Sequence, residues 1–172
     1  MSRRGKLFLV SGPSGAGKST LVKKALSRLD DISYSVSHTT RPPRGDEIDG
    51  QDYFFITSEE FRDRISKGQW LEWAQVHGNY YGTSKNFVED NLKKGQSILL
   101  EIDVQGTEQV MASGLKPVSI FIMPPSFEVL TQRLRSRATD SGAVIEKRLN
   151  NAKAEIAQKD QYKYLLVNDD LD

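Results

Sequence analysis

Four apolar runs divide the chain: Leu7 to Val10, Ser97 to Ile102, Val118 to Met123 and Tyr164 to Val167. Each is short and bounded by turn or polar residues, which predicts strands within a sheet. Between them apolar residues recur at helical spacing. Leu21, Val22, Ala25, Leu26 and Leu29 share one face, with Lys23, Lys24 and Arg28 on another, and Asp30-Asp31 ends the segment. Further helical periods fall near Gly106 to Ala112, Ser126 to Arg135 and Val144 to Lys159. Strands alternating with helices predict an α/β fold with a parallel sheet covered on both faces. Active sites on such sheets lie at the carboxyl ends of the strands.

Residues 33–94 break this rhythm. Short strand-like pieces (Tyr34 to Ser37, Asp52 to Ile56, Trp70 to Val76) alternate with turn signals at Pro42-Pro43, Gly50 and Gly78-Asn79. Thr57 followed by Glu60 reads as a capping box opening a helix through Ile65. The expected organisation is one domain, 1–172, in which a core of 1–32 and 95–172 carries an inserted α+β lobe of 33–94. With 172 residues the chain is long enough to bury a core. Its net charge of +1 offers no basic field for nucleic acid or an anionic membrane. It has no cysteine, so disulfides, thiolate zinc sites and a cysteine nucleophile are excluded. No apolar run is long enough for a spanning helix, and the residues after Met1 lead into a strand rather than a signal sequence, so a cytoplasmic location is expected.

Chemistry enters directly after the first strand. Gly12-Pro13-Ser14-Gly15-Ala16-Gly17-Lys18-Ser19-Thr20 fits the pattern G-x-x-x-x-G-K-[ST] in the order strand, loop, helix. Glycines let successive backbone N–H groups point inward at a helix N-terminus, forming a concave site for phosphate. Lys18 is expected to reach the β- and γ-phosphates of a triphosphate, and the Ser19 hydroxyl to ligate Mg²⁺. Many functions share this loop, so the acceptor must be read elsewhere. The Asn-Lys-x-Asp guanine reader of GTPases is absent; Asn168-Asp169-Asp170 lacks the lysine.

In the lobe, Arg41 and Arg44 stand three residues apart in a segment that Pro42 and Pro43 keep out of a regular helix. Planar guanidiniums suit a phosphate clamp. On spacing alone the segment reads equally well as a solvated proline-rich loop. Guanine presents adjacent N1–H and N2–H₂ donors and an O6 acceptor. Glu72 together with Thr83 or Ser37 has the chemistry to read it, although a lone glutamate in a strand commonly faces water. Arg133 and Arg137, four apart, read on their own as a solvated helical face; Thr139 to Gly142 then breaks the helix before Arg148. His38 and His77 have no visible metal partners, and Trp70 and Trp73 read as core and site wall.

Taken together, Gly12 to Thr20, Ser37-x-Thr-Thr-Arg41-x-x-Arg44, Asp52-Tyr53-x-Phe, Glu72-Trp73-Ala74, Gly78-Asn-Tyr-Tyr-Gly-Thr83, Glu101-Ile-Asp103-x-Gln-Gly106 and Asn168-Asp169 closely resemble guanylate kinases from about Lys6 to the last residue. The resemblance implies a P-loop NTPase-type core flanked by helices, a GMP-binding lobe and a helical lid within 133–148. It implies transfer of the ATP γ-phosphate to GMP with Mg²⁺, in purine nucleotide metabolism, by a monomer or homodimer. Its GMP phosphate is held by residues matching Ser37, Arg41, Arg44, Tyr53 and Tyr81, and its guanine by those matching Glu72 and Thr83. Glu101, where many members have Asp, and Asp103 correspond to positions near the GMP ribose and base and the Mg²⁺ region. The lid arginines correspond to Arg133, Arg137 and Arg148, and the position near adenine to Asn168. The catalytic set thus expected is Lys18, Arg41, Arg44, Arg137 and Arg148. A kinase for another monophosphate, and a scaffold module that keeps the fold without catalysis, are the rival expectations.

Overall fold

The computed structural model describes residues 4–76, 78–136 and 142–169. Strands β1 (Leu7–Ser11), β2 (Ile32–Tyr34), β7 (Ser97–Glu101), β8 (Val118–Met123) and β9 (Tyr164–Val167) form a five-stranded sheet in the order β2-β7-β1-β8-β9. The registered pairs β2–β7, β1–β8 and β8–β9 are parallel, as alternation of strands with helices predicts. The lobe sheet joins β3 (His38–Thr39), β4 (Phe54–Phe55), β5 (Trp70–Val76) and β6 (Asn79–Ser84) in the order β4-β3-β6-β5. The helices are α1 (Lys18–Leu26), α2 (Ser58–Ser66), α3 (Lys85–Lys93), α4 (Val104–Ala112), α5 (Phe127–Ser136) and α6 (Gly142–Ile156).

The backbone separates into two compact units. The first comprises 1–7, 31–100 and 105–117. Thr57 caps α2 by accepting from the Glu60 amide at 3.1 Å, which fixes where the helix begins and turns Phe61 inward. Phe61 is fully buried, stacked on Trp70 at 4.3 Å and on Tyr80 at 5.1 Å. These rings form the lobe's core. The Trp70 indole N–H donates to the Phe61 carbonyl at 3.2 Å, so the polar tip of the ring is satisfied. Helix α3 escapes the apolar pattern because Val88 and Leu92 alone are buried on it; its start is set by the Ser84 cap. The strand expected at Tyr34 to Ser37 lies earlier, at Ile32–Tyr34, and pairs with β7.

The second unit comprises 8–30, 101–104 and 118–172. Leu9 and Phe121 of β1 and β8 are fully buried, and Leu130 and Leu134 of α5 pack with Ala152 of α6. That helical core supports the phosphate loop: a Cβ built on Gly15 would stand 3.0 Å from Leu130 Cδ1. All four side chains of β9 are exposed, unlike those of a covered strand; β9 is last in the strand order and, among the described residues, pairs with β8.

Buried His38 packs 4.7 Å from the Phe54 ring and 5.1 Å from Trp70. Burial, with Arg64 adding to it, lowers the imidazole to about 4, against weaker opposing pulls from Glu60 and Asp49. The unfolded chain therefore takes up the proton first. Stability is fully present above about pH 6.5 and falls as pH drops toward 4. His38→Phe, which keeps the ring packing, is expected to remove about 2 kcal/mol of this loss, a figure discounted for solvent screening. Urea denaturation of both proteins at pH 7 and pH 4.5 measures the difference.

Candidate active site

In the phosphate-loop unit, β1 delivers the chain to a loop whose shape depends on missing side chains. Gly12 has φ +144°, and a Cβ there would lie 2.2 Å from the Ile122 carbonyl oxygen. Gly17 has φ +85° and begins α1; a Cβ on it would lie 2.3 Å from Asn168 Nδ2. Helix α1 has no side-chain cap at its N-terminus and no acidic residue in its first turn. Its first amides are therefore left for an anion. Pro13 and Ala16 are buried, whereas Ser14, Ser19 and Thr20 are exposed. Lys18 Nζ donates to the carbonyls of Gly12 at 2.6 Å and Pro13 at 3.0 Å, so the ammonium lies along the loop it is expected to serve.

Ser19 Oγ donates to Glu101 Oε1 at 2.6 Å, placing a carboxylate against the hydroxyl predicted to hold the metal. Asp103 follows two residues on and is half-buried. Glu155 of α6 is an acidic residue that sequence reasoning missed. Burial pushes its carboxyl up, Lys18 opposes the shift and Asp103 adds to it, so its charge is coupled to both. Arg133 Nη2 donates to the Asn168 carbonyl at 3.2 Å, while its Nη1 is buried with no partner among the described residues. Arg148 is half-buried on α6. Arg137 lies outside the described residues.

In the lobe, the folded path through Pro42 and Pro43 brings Glu47 back onto Arg41. The two groups meet as a bidentate pair, Nη1 to Oε2 and Nη2 to Oε1, both at 2.7 Å, and the Arg44 amide donates to Glu47 Oε2 at 2.8 Å. Hydrogen bonding to Arg41 holds the Glu47 carboxyl down at about 2, and the same bond raises Arg41. The Arg41 guanidinium is 7% exposed and lies over the Tyr53 ring at 4.9 Å. Tyr53 meets Tyr81 edge-on at 6.1 Å, and Tyr81 hydrogen-bonds Arg41. Arg41, Tyr53 and Tyr81 are thus one cluster, with exposed Arg44 joined to it through Glu47. Glu47 was not foreseen. A carboxylate three residues after Arg44, in a turn rich in proline and glycine, was the available signal.

The pair Glu72 and Thr83 is assembled by an irregularity in the strands. Trp70 faces Ser84 and Glu72 faces Thr83, so β5 spends one residue more than β6 at this step. Such a bulge re-aims a side chain. Thr83 Oγ1 donates to Glu72 Oε1 at 2.5 Å, and both residues are buried, so Glu72 does not lie on a solvated face. Next to it, Gln109 of α4 closes the outer edge of β5 by accepting from the Trp73 amide at 3.0 Å and donating to the Trp73 carbonyl at 2.7 Å. Ser37 enters the lobe just before β3, and its carbonyl accepts from the Phe54 amide at 2.9 Å.

A strand–phosphate loop–helix on a parallel sheet defines the P-loop class of α/β nucleotide-binding proteins. The sequence matches the guanylate kinase family model over residues 4–172, and the chain belongs to that family. It is 47% identical to a guanylate kinase of Thermotoga maritima, over 98% of this chain and 82% of the relative. A Zymomonas mobilis guanylate kinase is 49% identical, over 100% and 80%. The crystal structure of guanylate kinase from Anaplasma phagocytophilum superposes with a TM-score of 0.76 at 40% identity, covering 99% of this chain and 79% of that one.

Gly12→Ala tests the loop's dependence on close approach. Left-handed strain and a clash with backbone are expected to cost about 3 kcal/mol or more. Thermal melts should register a fall of roughly 6–12 °C in Tm.

Proposed function

We propose that this chain phosphorylates GMP at the expense of ATP, with the phosphate loop holding the donor and the lobe holding the acceptor. Buried Glu72, held by a hydrogen bond from Thr83, carries the reading: a carboxylate is the complement of guanine's adjacent N1–H and N2–H₂ donors. Ser37, Arg41, Arg44, Tyr53 and Tyr81 are assigned to the acceptor phosphate. Residues Gly12 to Thr20, with Arg133, Arg137 and Asn168, are assigned to ATP.

The acceptor is already a phosphate oxygen, so no covalent intermediate and no general base is required. The obstacle is the approach of two polyanions, and catalysis is positioning and charge neutralisation. Lys18 neutralises the β- and γ-phosphates, Arg41 and Arg44 the acceptor, and Arg137 and Arg148 the group in transfer. Mg²⁺ fits the donors present, since the Ser19 hydroxyl and the carboxylates of Glu101 and Asp103 are hard oxygens. Among the described residues no group of three His, Cys, Asp or Glu side chains is placed to hold a metal ion, and Mg²⁺ in nucleotide sites also takes phosphate oxygens and water. When bound it spreads the negative charge of the donor phosphates.

Among the described residues no helix is long and apolar enough to cross a membrane. The partners proposed are the two nucleotides.

A coupled assay of ADP release tests the assignment. GMP should be turned over in preference to AMP, CMP and UMP, and Glu72→Gln should raise KM for GMP about ten- to a hundredfold while KM for ATP stays within a factor of two. Faster turnover of another monophosphate by the unaltered protein would overturn the reading. Lys18→Ala is expected to lower kcat by about a hundredfold or more, on the scale of losing a preorganised charge; near-normal turnover would remove Lys18 from the mechanism.

A further inference from the structure

The resemblance ties Asn168 to adenine, yet its contacts run to the phosphate loop. Asn168 is 5% exposed and follows β9 directly. Its own amide donates to the Met123 carbonyl at 2.7 Å, fixing it to the end of β8, and its carbonyl accepts from Arg133. From this anchored backbone the side-chain Nδ2 donates to the Ala16 carbonyl at 2.8 Å, bridging 152 positions of sequence. The next residue, Gly17, sits in left-handed backbone with room for no Cβ beneath that nitrogen.

In a trans peptide the carbonyl and the following N–H point in opposite directions. Holding the Ala16 carbonyl toward Asn168 therefore directs the Gly17 N–H away from it, on the side where the other loop amides must converge on an anion. We propose that Asn168 is a positioning residue for the phosphate loop: its carboxamide locks the Ala16–Gly17 peptide in the orientation that presents the amide to the donor's phosphates. It acts through the backbone and makes no demand on the nucleobase. Arg133, bonded to the same residue, braces this strut from α5.

The inference rests on the phosphate loop being the donor site, and its test separates the two claims. Calorimetry measures Kd for ATP, GTP and inorganic tripolyphosphate on the unaltered protein, Asn168→Ala and Asn168→Asp, with thermal melts alongside. The aspartate has the same size but sets an acceptor against the Ala16 carbonyl, and it is read alone if the alanine variant does not fold. Both variants should weaken all three ligands by one common factor, about tenfold, which is the scale of a lost buried hydrogen bond. KM for GMP should be unchanged. Selective loss of ATP would make Asn168 an adenine reader and overturn the proposal, as would unchanged affinities in either folded variant. Failure of the unaltered protein to bind tripolyphosphate and ATP would refute the phosphate-loop reading, and this inference with it.

Discussion

A phosphate site made of backbone amides requires the peptide to approach its surroundings more closely than any side chain permits. Gly12 passes within reach of the Ile122 carbonyl and Gly17 beneath Asn168, and both adopt backbone that other residues enter only with strain. Neighbours hold the loop in that shape. Leu130 and Leu134 underlie Gly15, Asn168 holds the Ala16 carbonyl, and β1 and β8 fix the strand ends on which the loop hangs. The apolar core of α5 and α6 thus packs directly under the loop and limits how its backbone can shift.

A second constraint follows from desolvation. A cation or hydroxyl withdrawn from water must be satisfied before its ligand arrives. Half-buried Lys18 rests on two loop carbonyls, buried Arg41 on Glu47, and buried Thr83 on Glu72. Where a phosphate or metal displaces such a partner, binding becomes an exchange of hydrogen bonds, and its free energy is a difference between similar terms. An interior stand-in keeps each group oriented and moderates affinity, which favours turnover over tight retention of either nucleotide.

What the sequence disclosed, and what it hid, divides by range. The strand–loop–helix at 7–20 was legible because motif and context lie within fourteen residues, and the Thr57 cap because it spans four, although the Glu60 carboxylate of the expected box turns to Arg64. Helix α3 was not, since its apolar face is a single pair four residues apart. Four apolar residues suggested that β9 is covered, but burial depends on what lies against a strand, and residue type does not determine that. Glu47 on Arg41 depends on how the chain turns through two prolines, Gln109 on Trp73 crosses 36 positions, and Asn168 on Ala16 crosses 152. Periodicity has no access to such pairings. The resemblance supplied Arg41 and Asn168 without the contacts that orient them, and supplied neither Glu47 nor Gln109.

Lys18 and Arg41, two of the cations proposed to bind phosphate, are held differently, and the difference bears on the selectivity proposed. Lys18 donates to two neutral carbonyls and also feels the charge of Glu155. Arg41 is held by a carboxylate through both terminal nitrogens, so an incoming phosphate must share or displace a charge-assisted pair. A free phosphate gains little from that exchange. A nucleotide that also fills the Glu72 and Thr83 pair brings further hydrogen bonds to the same event, and the base contacts supply the favourable balance that the phosphate alone lacks. Recognition of the base and engagement of the phosphate clamp are then energetically linked within the lobe. Under the proposed assignment, such a lobe discriminates against small anions by withholding its arginine from them.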